Sequence, residues 1–198
     1  ERQGHELQHL VNAMTVNETY FLRESYQFDC MSNDILNELV RIKPPGERLR
    51  IAYLSADFRD HPVAYLAAEL FELHDRSKFE VIGYSHGTDD RSEQRARIAK
   101  SFDKFVDGQK FSDREFSERI AGDGIDILID LSGYTESGRA GVVCRRPAPI
   151  QVNYLGYAGT MGAPYIDYMM ADRVVIPPDS RKHYSEKIVY LPHSFFPN

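Results

Sequence analysis

The chain has 198 residues, 42% hydrophobic and 27% charged. That composition is ordinary for a globular protein, and the length is enough to bury a core. A formal net charge of −6 speaks against a general nucleic-acid binder but not against a nucleotide or sugar-nucleotide ligand, which needs only local donors. No apolar run approaches the ~18–20 residues of a membrane span, and no signal peptide is visible; the two distant cysteines, Cys30 and Cys144, suit a reduced cytoplasmic setting better than a disulfide scaffold.

Residues 1–46 form the first expected unit, a helical segment and linker. Leu7, Leu10, Val11 and Met14 recur at helical spacing, and Ile35, Leu36, Leu39 and Val40 suggest a second helix capped by Ser32 or Asn33. Pro44-Pro45-Gly46 breaks this pattern and marks the boundary. The second expected unit covers residues 47–198. Strand-like runs stand at Leu49–Leu54, Glu80–Tyr84, Ile125–Leu131, Ile150–Leu155, Tyr168–Met170 and Ile188–Leu191. Helical patterns fill the gaps at Val63–His74, Ser92–Phe105, Asp113–Gly122 and about Ser137–Cys144, with a short one near Asp179–Tyr184. Strands alternating with helices predict an α/β, Rossmann-like, mostly parallel sheet. Asp130 is expected at the carboxyl end of its strand and Asp126 near a polar boundary, because an unpaired buried carboxylate is costly. The chain starts at Glu1 without a Met and stops just past an apolar strand-like run, so a piece of a longer polypeptide is expected.

In such a sheet, ligands bind beyond the carboxyl ends of the strands. Those ends are rich in Gly, hydroxyl, His and Asp: Ser55, Asp57 and His61; Ser85 and His86; Ser132, Gly133, Tyr134 and Thr135; Gly156, Tyr157, Gly159, Thr160 and Gly162. His61 can hold or release a proton near neutral pH, with Asp57 or Asp60 to orient its ring. It can equally be a helix cap, just ahead of Pro62 at the first helical turn. Asp57 can be an Asx-turn residue. Gly156–Gly162 lacks both the Walker A ending and GxGxxG, and reads either as a ligand loop or as a tight turn. The Arg91–Arg97 run, interleaved with Ala96, Ile98 and Ala99, reads as a solvated helix face. Arg139 reads as a surface or loop residue, and Arg145 and Arg146 as caps of the preceding helix. The scattered histidines show no zinc-ligand spacing, and no Asp-x-Asp stands at a strand end to hold a cation with a diphosphate.

Four motifs in order carry a family resemblance: Arg48-Leu-Arg-Ile-Ala-Tyr-Leu-Ser-Ala-Asp-Phe-Arg-Asp-His-Pro62, Gly124-Ile-Asp-Ile-Leu-Ile-Asp-Leu-Ser-Gly-Tyr-Thr135, Arg146-Pro-Ala-Pro-Ile-Gln151 with Leu155–Gly162, and Tyr184-Ser-Glu-Lys-Ile-Val-Tyr-Leu-Pro-His193. Over about residues 48–196 the chain resembles the SPINDLY-type O-linked N-acetylglucosamine transferases, with a bacterial rather than animal flavour. The resemblance implies the amino-terminal catalytic half of a GT-B glycosyltransferase, with the active site in the cleft between two Rossmann-like halves. It implies inverting transfer of N-acetylglucosamine from UDP-GlcNAc to Ser or Thr of a protein acceptor, with no essential metal and no cofactor beyond the donor substrate. Relatives using GDP-fucose, or glucose on Asn, leave the donor open. The family's catalytic His and Asp fall on His61 and Asp57, and its donor-sugar loop on Pro62 and on Gly156, Tyr157, Gly159, Thr160 and Gly162. Tetratricopeptide repeats ahead of the catalytic part, and a carboxyl-terminal half supplying most nucleotide contacts, are implied but not seen in this sequence. The alternative expectation is a non-catalytic module acting in binding or assembly.

Overall fold

The computed structural model describes residues 47–197. The expected helices of residues 1–46, and the boundary at Pro44-Pro45-Gly46, lie outside the described residues. Seven parallel strands form one sheet: β1 (Leu49–Ser55), β2 (Phe79–Ser85), β3 (Lys104–Asp107), β4 (Ile127–Asp130), β5 (Ile150–Asn153), β6 (Tyr168–Ala171) and β7 (Lys187–Tyr190). Their order across the sheet is β3-β2-β1-β4-β5-β6-β7, and every neighbouring pair is parallel. The direction of strand addition reverses between β1 and β4. Chain segments leaving those two strands therefore diverge to opposite faces, as in other doubly wound sheets.

Alternation along β1 feeds two cores. Ile51 and Tyr53 face the side covered by α1 (Pro62–Glu72) and α2 (Glu93–Ser101), where they join Val63, Ala67, Phe71 and Ile98. Ala52 and Leu54 face α3 (Asp113–Gly122) and α4 (Ala140–Val143), where Phe116, Ile120, Val142 and Val143 complete the layer. Burial on both faces explains why the strands read as continuous apolar runs rather than alternating ones. Burying a side chain such as Phe71 contributes about 2–3 kcal/mol, and Phe71 is fully enclosed beside Tyr53, Phe58 and Phe102.

The helices begin where the sequence predicts. Pro62 opens α1, and Ser112 starts α3 with a complete capping box closed by Glu115. Two elements differ from expectation. The helical pattern over Ser92–Phe105 stops at Ser101, and its last part is the edge strand β3. The Ser137–Cys144 pattern contracts to the single turn of α4. Asp126 is also more deeply placed than a polar boundary implies: it is 3% exposed, and its carboxylate accepts the Arg50 backbone N–H at 2.7 Å.

Candidate active site

Three loops meet at the carboxyl ends of β1, β4 and β5. Ser132, after β4, accepts the Ala56 N–H through its hydroxyl at 3.3 Å and so ties the β4 loop to the β1 loop. On the other side Gly133, with φ +54°, lies against Tyr157: a Cβ on Gly133 would come within 2.6 Å of the Tyr157 Cβ. A Cβ on Gly156 would meet the Leu131 carbonyl oxygen at 2.1 Å. Only glycine permits these approaches, so the rim is a contiguous wall.

Asp57 and His61 sit on the β1 side of that wall. His61 is the N-cap of α1, with extended backbone (φ −155°, ψ 146°); its Nδ1 accepts the Val63 N–H at 3.3 Å. The same Nδ1 lies 3.7 Å from Asp57 Oδ2. Asp57 is 7% exposed, and its other oxygen accepts from the Arg59 guanidinium at 3.2 Å. His61 thus both caps the helix and faces a carboxylate. The two partners want opposite ring forms. Accepting from Val63 places the proton of the neutral ring on Nε2, whereas donating to Asp57 places it on Nδ1 and leaves Nε2 free to take a proton. His61 keeps 31% of its side chain exposed, so the ring remains reachable.

Asp130 ends β4 as expected. Its carboxylate accepts the N–H groups of Ser132 at 2.9 Å and Gly133 at 3.2 Å. Burial pushes its pKa up to about 6, and the two N–H donors offset only part of that rise. His86, after β2, is 8% exposed and has a buried Nε2 without a partner. Burial, aided by the nearby Arg139 cation, lowers its pKa to about 4, so the ring is neutral at ordinary pH.

The glycine loop 156–162 is held from behind. Asn153, at the end of β5, donates its amide to the carbonyls of Tyr157 (2.9 Å) and Gly159 (3.4 Å). Glu186 accepts from Thr160 and Met161, and Tyr184 donates to the Ala158 carbonyl at 3.2 Å. Tyr134 and Tyr157 pack edge to face at 5.7 Å along the rim, with Tyr134 about half exposed.

Several arginines depart from their sequence readings. Arg95 is 6% exposed, not part of a solvated face. Its guanidinium donates to the Phe58 carbonyl (2.9 Å) and the Ser85 hydroxyl (3.0 Å), and pairs with Asp89 and Asp107, each at 3.0 Å. Periodicity fails here because α2 turns its Arg95 side beneath the β1 loop, where a cation satisfies a buried carbonyl. Asp90 adds a second tether by accepting the Asp60 N–H at 2.7 Å. Arg139 is half-buried and holds Asp113 and the Phe111 carbonyl. Arg146 does not cap α4; it adopts φ +49° and pairs with Asp167 at 3.1 Å. Of the expected site residues, His61, Asp57 and Pro62 share the β1–α1 junction, and Gly156, Tyr157, Gly159, Thr160 and Gly162 share the β5 loop. Sequence reading missed the supporting roles of Arg95, Asn153 and Glu186. Glu186 lay within a motif already singled out, and Arg95 was visible only as one charge in a run.

Among the described residues no group of three or more His, Cys, Asp or Glu side chains is placed to hold a metal ion. No helix among them is long and apolar enough to cross a membrane.

A parallel sheet flanked by helices on both faces, with polar and glycine-rich loops at the strand carboxyl ends, is the Rossmann-like arrangement of a GT-B fold. Residues 30–197 match glycosyl transferase family 41, and the chain belongs to that family. It is 43% identical over 152 residues to the probable UDP-N-acetylglucosamine--peptide N-acetylglucosaminyltransferase SEC of Arabidopsis thaliana, covering 77% of this chain and 16% of that protein. It is 41% identical over 152 residues to the UDP-N-acetylglucosamine--peptide N-acetylglucosaminyltransferase of Caenorhabditis elegans (76% and 13% covered). Identity to the Arabidopsis thaliana protein SPINDLY is 32% over 157 residues (78% and 17% covered). A solved mutant of the Thermobaculum terrenum O-GlcNAc transferase superposes with a TM-score of 0.73 at 37% identity, over 77% of this chain and 29% of that one. The chain thus spans less than a fifth of the length of these curated relatives.

Proposed function

We propose that the chain forms the amino-terminal catalytic half of an inverting transferase that moves N-acetylglucosamine from UDP-GlcNAc to Ser or Thr hydroxyls of proteins. In that reaction the acceptor oxygen bonds to the anomeric carbon, the bond from that carbon to the diphosphate breaks, and the hydroxyl proton leaves to a base. The observation that carries the reading is the Asp57–His61 pair, 3.7 Å apart at the carboxyl edge of β1, with the glycine loop across the β4 segment. Asp57 favours the ring form with its proton on Nδ1, which frees Nε2 to accept the acceptor's proton; the other form donates from Nε2 and orients an oxygen instead. The glycine loop lets backbone approach the donor sugar. Among the described residues no strong basic cluster lines this rim, so the diphosphate is assigned to groups on a second, carboxyl-terminal half. The acceptor polypeptide and that half are the partners of this reading.

The Val63 N–H on His61 favours a second reading, in which His61 only caps α1 and the module binds without catalysing. His61→Asn in the full-length polypeptide separates them, because Asn is a good N-cap but not a base. The catalytic reading expects a loss of at least ~100-fold in peptide glycosylation with the melting temperature nearly unchanged. Transfer within a few-fold of wild type, with Asp57→Asn equally active, would leave only the capping role.

A further inference from the structure

Glu186 lies just before β7 and is 4% exposed. Its two oxygens both serve the glycine loop: Oε1 accepts the Met161 N–H at 2.6 Å and Oε2 accepts the Thr160 hydroxyl at 2.7 Å. Among the described residues no Lys, Arg or His pairs with it. A buried carboxylate without a cation carries a desolvation cost that a mere turn does not require.

Its effect on the loop is directional. A carboxylate only accepts, so the Thr160 hydrogen points at Glu186 and the lone pairs of Thr160 are left for the N–H groups of Gly162 (3.0 Å) and Ser185 (3.4 Å). Tyr184 and Asn153 take the carbonyls of Ala158, Tyr157 and Gly159. The N–H groups of residues 157–160 have no partner among the described residues, and those residues are half-buried to exposed. The loop therefore keeps backbone donors unspent, with the Glu186 carboxylate held against it. Donors alone would suit a phosphate; the charge behind them opposes one and leaves neutral hydroxyl and amide oxygens favoured.

We propose that Glu186 is a positioning residue: it locks Thr160 and Met161 so that the loop's free N–H groups meet the uncharged sugar of a sugar nucleotide rather than its diphosphate. This rests on the sugar-nucleotide reading above. The test uses calorimetric titration of the full-length polypeptide with UDP and with UDP-GlcNAc, comparing Glu186→Gln and Glu186→Ala with wild type. Glu186→Ala is expected to weaken UDP-GlcNAc roughly tenfold and UDP less than about twofold. Glu186→Gln falls between, since its amide oxygen can still hold Met161 while its NH₂ reverses the Thr160 hydroxyl.

Equal weakening of both ligands, or no change in either, overturns the proposal, because the first is a scaffold defect and the second means no role. Amide exchange of residues 157–162 supplies a readout free of ligand. Faster exchange of the Met161 and Gly162 amides is expected in Glu186→Ala, and of the Gly162 amide in Glu186→Gln, which keeps the shape of Glu186 should the Ala variant fail to fold. Unchanged loop exchange overturns the proposal. Wild-type protein that binds neither ligand refutes the sugar-nucleotide reading and the sugar assignment with it, while the exchange data still decide whether Glu186 holds the loop.

Discussion

Asp130 and His86 should make opposite and nearly cancelling contributions to stability as pH falls. Burial raises Asp130 to about 6 from an ordinary 3.8, so the folded state binds its proton more readily than the unfolded state. Stability from this group is full below about pH 3.8 and is lost as pH rises through 6, by about 3 kcal/mol for a shift of ~2 pKa units. Burial lowers His86 from 6.5 to about 4, so the unfolded state binds the proton first. Its contribution is full above pH 6.5 and is lost as pH falls towards 4, again by about 3 kcal/mol. Urea denaturation at half-unit steps from pH 4 to 7 reads both terms. Relative to wild type, Asp130→Asn should gain stability with rising pH through this window. His86→Gln should gain it with falling pH. Parallel curves for wild type and both variants would refute the assignment of these buried groups as the opposed titrating pair.

Other perturbations follow from single contacts. Arg95→Ala strands the Phe58 carbonyl and two carboxylates and should cost about 3–5 kcal/mol, read as a fall in urea midpoint; Arg95→Lys should recover only part, having no fork to reach four partners. Gly156→Ala drives a methyl against the Leu131 carbonyl, so ligand binding at the loop should fall more than global stability, as titration and thermal melting together would reveal. Ser112→Ala removes the capping box of α3 and should cost about 1 kcal/mol of stability, read as a fall in urea midpoint.

The sheet was legible where burial on both faces makes a strand continuously apolar, as in Leu49–Ser55 and Ile150–Asn153. Lys104–Asp107 was not, because an edge strand carries only Phe105 and Val106 as apolar residues and its neighbours continue a helical charge pattern. At the site, His61 and Asp57 were legible because local spacing brings them together across one helix start. The interactions of Arg95 with Phe58 and of Glu186 with Met161 join residues 37 and 25 positions apart. No local periodicity encodes such contacts. Only the fold turns Glu186 into a buried clamp.

Arg95 also makes the edge of the sheet a remote determinant of the putting-in-place of Asp57. One guanidinium joins the β1 loop through Phe58, the end of β2 through Ser85 and the end of β3 through Asp107. If β3 peels away, Asp107 leaves and the cation loses one of the anchors that aim it at Phe58. Local opening of the edge and loosening of residues 57–60 should therefore be one cooperative event with a shared free energy, rather than two independent fluctuations. A strand at the outer edge of the sheet would then set how much of the time the Asp57–His61 pair is assembled.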